Sequence, residues 1–427
     1  MWLKASTRGR LIISDGMAVM SVGLKTRLLL ASAVAALIAV ACVGDGGGDG
    51  DGDGDGVDTS EDGLTFDDLG LDDRIPLYTE SWNTDWTKRT ISLSELIAGI
   101  QQPDPRDVIQ PIDDPQFETV EEAAQWLVDR EPVVALELEG EARAYPLRIL
   151  TSHEVVNDVV GDRSVVVSYC PLCNSAVTFD RELDGQVLRF GVSGLLRNSD
   201  LVMWDRQTES LWQQITGEAI VGELAGTELE FIPSPIMAWE DFRAQFPDGK
   251  VLSRDQGIFP PELYDNQPYA GYDSSTQPFL FRGTTDDRYP AMERVVAVRI
   301  SGTNKAYPFS VISEERAVND EFAGTPILVV FGADDTASVL DTGDVKTGRG
   351  VGVGLAFQRT VGDRVLTFDA LGEDRFMDRE TETVWDLFGN AMEGPLAGEE
   401  LTPVVNTNEL WFAWAAFNAD SPVYTGS

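Results

Sequence analysis

Two stretches of this chain match each other without a gap at a spacing of 162 residues. Residues 133–158 read VVALELEGEARAYPLRILTSHEVVND and residues 295–320 read VVAVRISGTNKAYPFSVISEERAVND, identical at 10 of 26 positions. The match resumes at a wider spacing in DRQTESLW (205–212) against DRETETVW (378–385), and in GELAG (222–226) against GPLAG (394–398). Each half then closes on an aromatic stretch with helical spacing, at 235–246 and 408–417. A collinear series of this kind implies a duplicated unit, so a fold that suits one half must suit the other.

Within each half the apolar period is mostly two. VVALEL and ARAYPL alternate around Glu139-Gly140, a hairpin signal, and residues 164–169 and 175–180 are β-branched runs. Residues 235–246 carry Ile236, Trp239, Phe242 and Phe246 at helical spacing. The expected class is α+β, predominantly antiparallel β, in two tandem repeats of one β-rich domain. The expected organisation is a signal peptide at 1–42, an Asp/Gly tether at 43–63 and an N-terminal wrap at 64–118. A first repeat at 119–250, a linker at 251–292 and a second repeat at 293–427 follow.

The formal net charge is −40, with 72 acidic and 32 basic side chains, which argues against nucleic acid as a partner. Residues 25–42, KTRLLLASAVAALIAVAC, join a basic start to an apolar run too short to span a bilayer, then small residues and Cys42. This resembles a bacterial lipoprotein signal, although Ala39 stands where that signal usually has Leu. It implies export, lipid attachment at Cys42, and anchorage to the outer face of the cell membrane. Residues 43–63 alternate Asp and Gly and lack the ligand pattern of a calcium loop, so they read as a solvated spacer.

Chemistry concentrates in the first half. Cys170-Pro171-Leu172-Cys173 lies between two strand runs and resembles the metal knuckle of rubredoxins and zinc ribbons, with Asn174 where a positive φ is required. His153 is the only histidine of the chain, which excludes any multi-His centre. At the 162-residue spacing the second half has Gly332, Asp335 and Glu315 in place of Cys170, Cys173 and His153. The joint loss points to one site of three ligands, copper or zinc, with a carboxylate, Met203, water or substrate as a fourth. The alternatives are a thiol/disulfide redox or cysteine-dependent enzyme, a non-catalytic ligand-binding or scaffold lipoprotein with a structural disulfide, and a pair of inert buried thiols. A second constellation, Ser193 and Arg197-Asn198-Ser199, supplies donors for a small anionic ligand, with Glu154 and Gln213 as further candidates.

The motifs AYPLRILTSHEVVND, YCPLCNSAVTFDR, FGVSGLLRNSDLVMWDRQTESLWQQITGEAIVGELAG and WEDFRAQFPDGKVLSRD together resemble the family catalogued as domain of unknown function 3179, over roughly residues 100–420. The resemblance is carried by His153-Glu154, residues 169–173, residues 195–199 and Trp212-Gln213. The second half departs from all of these except the Trp. The family implies no activity, so it locates the site without naming a reaction.

Overall fold

Alternating apolar residues bounded by tight turns produce the expected strands. In a computed structural model, residues 81–426 are described, apart from 333–335 and 373. The signal segment, Cys42 and the Asp/Gly tether lie outside the described residues. The first half runs β1 (Pro132–Leu138), β2 (Glu141–Pro146), α1 (Leu147–His153), β3 (Val155–Val160), β4 (Arg163–Cys170), β5 (Ser175–Asp180), β6 (Phe190–Arg197), β7 (Asp200–Asp205) and β8 (Leu211–Gln213). The second runs β9 (Arg294–Ile300), β10 (Thr303–Pro308), α2 (Phe309–Glu315), β11 (Ala317–Phe322), β12 (Thr325–Gly332), β13 (Val353–Gln358), β14 (Phe368–Gly372), β15 (Arg375–Asp378) and β16 (Val384–Asp386). It closes with β17 (Asn406–Leu410) and α3 (Trp411–Phe417).

The ladders are antiparallel almost throughout. A sheet β3-β4-β5 continues through Phe231–Ile232, and a sheet β6-β7-β8 is flanked by Leu96–Ala98 and Ala219–Val221. The β1–β2 hairpin is flanked by Ile236–Ala238 and, in parallel, by Lys250–Leu252. In the second half β10-β9-β17, β11-β12-β13 and β14-β15-β16 form three sheets. Every strand ladder among the described residues stays within one half. All described residues fall in one compact unit, Asp51–Ser427.

Matching residues make matching contacts. Tyr145 pairs with Val134 and donates its hydroxyl to Asp158 at 2.6 Å; Tyr307 pairs with Val296 and donates to Asp320 at 2.8 Å. The indole of Trp212 donates to Asp205 at 2.9 Å and that of Trp385 to Asp378 at 3.0 Å, each beside a threonine bonded to the same aspartate. Arg206 and Arg379 do not pair with these aspartates; they reach Asp107 and Asp369.

Residues 251–292 pack on the first half. Tyr264 reaches His153, Asp265 reaches Arg148, and Tyr272 donates to the Leu172 carbonyl at 3.1 Å. The second half closes the same region. The amide of Leu410 donates to the Cys173 carbonyl at 2.9 Å, and Asn174 donates to the Asn408 carbonyl at 3.0 Å. Leu410, Phe412 and Ala413 share one apolar cluster with Cys170, Cys173 and Met203. No helix among the described residues is long and apolar enough to cross a membrane.

Candidate metal centre

The knuckle joins β4 to β5. Cys170 pairs with Ser175 across the hairpin, so four residues make the turn. Asn174 takes φ 51, as the missing glycine requires, and its amide donates to the Pro171 carbonyl at 3.4 Å. Burial pushes the Cys170 thiol up, against the pull of a hydrogen bond with the Cys173 side chain and a lesser one with the Cys173 amide. Burial pushes Cys173 well above its ordinary range. Both are free thiols, 2% and 0% exposed.

The third member is Asp200. The β6–β7 hairpin turns on Asn198 and Ser199, with φ 51 and 69, between the paired residues Arg197 and Asp200. Two consecutive positive φ values define the two-residue turn that matches strand twist. It delivers Asp200 beside the knuckle, and the Ser199 carbonyl accepts from the Cys170 thiol at 3.7 Å. The two sulfurs and a carboxylate oxygen of Asp200 lie within 4.8 Å of one another. Asp200 Oδ2 accepts from Gln213 Nε2 at 2.6 Å and from the Ile215 amide at 3.0 Å. Its Oδ1, fully buried, has no hydrogen-bond partner. Burial pushes the carboxyl up to about 6 against the pull of those two donors and of the Cys173 and Cys170 thiols.

Two more buried acids surround the cluster. Glu154 follows α1 at φ 59, where its amide bonds the Leu150 carbonyl and its carbonyl accepts from the Tyr169 amide. Burial, and then the charge of Asp200, push it up to about 8, and its charge acts in turn on Cys170. Glu409, from β17 of the second half, is 4% exposed and is pushed up to about 7 by burial. Asp200 adds to that rise while Arg299 opposes it, and Glu409 Oε2 has no hydrogen-bond partner.

His153 does not join the thiols. Its Nδ1 donates to the Gln110 carbonyl at 2.6 Å, which leaves Nε2 to accept from the Tyr264 hydroxyl at 2.7 Å. The ring stacks on Phe259, and burial lowers its pKa to about 4, so it is neutral with both nitrogens engaged. The structure therefore leaves His153 apart from the thiols and gathers Cys170, Cys173 and Asp200 instead, a group that could hold a metal ion.

Ser193 is also corrected: its hydroxyl donates to the Val202 carbonyl at 2.5 Å and accepts from the Leu195 amide at 3.0 Å, which holds the irregular middle of β6. Arg197 pairs with Glu95 at 2.7 Å and lies over Phe417, so it faces away from an anion at the thiols. Asn198 shapes the turn. The Ser199 hydroxyl donates to the Phe279 carbonyl, so its backbone rather than its side chain faces Cys170. Gln213 holds Asp200, and Glu154 stands beside the cluster. Sequence reasoning passed over Asp200 although it follows the Arg-Asn-Ser run directly; its acid between a turn and an apolar strand was the available signal.

These elements define a β-rich protein with a buried Cys-Cys-carboxylate cluster walled by both halves. The chain belongs to the family described as protein of unknown function DUF3179, whose model matches residues 106–421. No curated protein and no solved structure matches it.

Proposed function

We propose that this is an exported, lipid-anchored protein that holds a single zinc or copper ion on Cys170, Cys173 and Asp200. The observation that carries the reading is the convergence of two thiols and a carboxylate oxygen of Asp200 within 4.8 Å in a fully buried place. In the metal-free chain the two thiols serve Asp200 only as hydrogen-bond donors, whereas a dication satisfies two thiolates and the carboxylate together. A thiolate pair plus a carboxylate suits zinc better than monovalent copper, which favours sulfur alone. Gln213 and the Ile215 amide orient the carboxylate, the role expected of partners one step behind a metal ligand. Glu154 is the nearby carboxyl for a fourth position. Burial of every donor supports holding or handling of the ion rather than turnover of a large substrate, and the raised thiols disfavour a cysteine nucleophile.

Two further expectations belong to this reading. Lipid attachment at Cys42 rests on the sequence of residues 25–42, and a Cys42→Ser chain should lose its partition into detergent. Descent of the two halves from one duplicated unit is supported by the Tyr145/Tyr307 and Trp212/Trp385 contacts, with the site kept in the first half alone.

The deciding experiment is elemental analysis and a thiol count on protein exported by its native host, with variants alongside. One ion per chain is expected, absent from Cys170→Ser and Cys173→Ser, weakened in Asp200→Asn and unchanged in His153→Gln. Wild-type protein that keeps no zinc or copper and carries a Cys170–Cys173 disulfide would overturn the reading.

A further inference from the structure

A second feature adjoins the cluster. Between the halves a narrow crevice of about 20 Å³, room for roughly one water, has Thr216 and Phe231 of the first half and Arg299 of the second at its rim. All three are half-buried. Its deep wall is formed by Ile215, Glu409 and Trp414. Ile215 and Trp414 are 4% and 1% exposed, as closed off as Glu409. Two of the wall residues connect directly to the proposed ligands. The Ile215 amide donates to Asp200 Oδ2 at 3.0 Å, and Glu409 precedes Leu410, whose amide holds the Cys173 carbonyl at 2.9 Å.

The wall also carries two buried polar atoms without partners, Glu409 Oε2 and Trp414 Nε1. A buried carboxylate oxygen that no protein donor satisfies is costly unless something from solvent visits it. Arg299 stands over the face of Phe231, with its guanidinium carbon 3.9 Å from the ring centroid, and its charge opposes that of Glu409. The crevice thus has a cation at its rim and an acid at its deep end, next to Asp200.

We propose that this crevice is the port through which a divalent cation reaches Cys170, Cys173 and Asp200, with Glu409 as the carboxylate that receives it first. The inference rests on the metal-site reading and adds to it a route and a second-half residue. Each thiol gives up its proton as the ion binds, one S–H bond breaking for each metal–sulfur bond formed. The protons leave to solvent by the same crevice. Arg299 sets the rate by opposing the approach of the cation. The site is therefore built in the first half and supplied through the second.

The test uses the full exported protein stripped with a chelator, mixed rapidly with zinc, and followed by a dye that reports free zinc. Glu409→Gln should load about tenfold more slowly, and Arg299→Gln several-fold faster, because a charge lining a narrow cleft acts mainly on the rate of entry. Thr216→Trp should obstruct the rim and slow loading without changing any charge, which keeps the test sound if Glu409→Gln fails to fold. Loading at the wild-type rate in both Glu409→Gln and Thr216→Trp would overturn the port and leave the crevice as a pocket of solvent. A wild-type chain that takes up no zinc would instead overturn the metal site itself, so the two failures are distinguishable.

Discussion

Replacing Glu409 by Gln should stabilise the metal-free protein at pH 8 relative to pH 4. Glu409 is 4% exposed, and burial raises its carboxyl from 4.5 to about 7. Between those values the folded state keeps a proton that the unfolded chain has already released. Stability of the wild type therefore falls as pH rises through that window and is flat above it. The displacement corresponds to roughly 3 kcal/mol at 1.36 kcal/mol per pH unit. Gln has the same shape and carries no charge, so it removes the whole pH-dependent contribution. It leaves an amide N–H₂ near the Oε2 position, where no donor or acceptor stands, at a cost of about 1 kcal/mol at any pH. The variant should thus be about 1 kcal/mol less stable than wild type at pH 4 and about 2 kcal/mol more stable at pH 8. Urea denaturation in chelator at the two pH values measures both differences. Equal differences at the two values would refute the argument, because they would mean that Glu409 keeps its charge in the fold with adequate compensation.

His153 should show the opposite sign. Burial lowers it from 6.5 to about 4, so wild-type stability falls as pH drops through that range; His153→Gln should flatten this slope and cost about 2 kcal/mol at pH 7 for two lost hydrogen bonds, read by denaturation at pH 4.5 and 7. In a metal-free chain that starts after Cys42, a thiol reagent should modify neither Cys170 nor Cys173 before unfolding and both after it; fast labelling of the native protein would contradict their burial. Asn198→Val should cost about 1–2 kcal/mol in thermal denaturation, since a β-branched residue resists the φ of 51 that the turn imposes, whereas Asn198→Gly should be nearly neutral.

Local features were legible in the sequence because local sterics decide them. Gly140, at φ 80, turns the first hairpin and Asn174, at φ 51, closes the knuckle, each a residue type that tolerates the left-handed region. The site was legible only in part. The two cysteines sit on one turn and announce themselves. Asp200 reaches them through the pairing of β6 with β7 and the packing of two sheets, which no spacing along the chain encodes. Glu409 comes from a strand of the other half. His153 misled because a lone histidine near a cysteine pair matches metal chemistry, while its true partners, Gln110 and Tyr264, are 43 and 111 residues away with no distinguishing motif.

The bond from the Leu410 amide to the Cys173 carbonyl also fixes an order of events in the life of the chain. A ribosome adding about 5–20 residues per second makes Leu410 on the order of ten seconds or more after Cys173. Throughout that interval the thiols lack their outer wall, and Asn174 lacks its acceptor on Asn408. The knuckle thus cannot be sealed before Leu410 has been made and docked. A chain whose residues 406–417 are missing or undocked would present these cysteines to oxidants and to stray metal ions, whereas the docked second half withdraws them. Docking of the second half is in this sense the step that sets the redox fate of the pair.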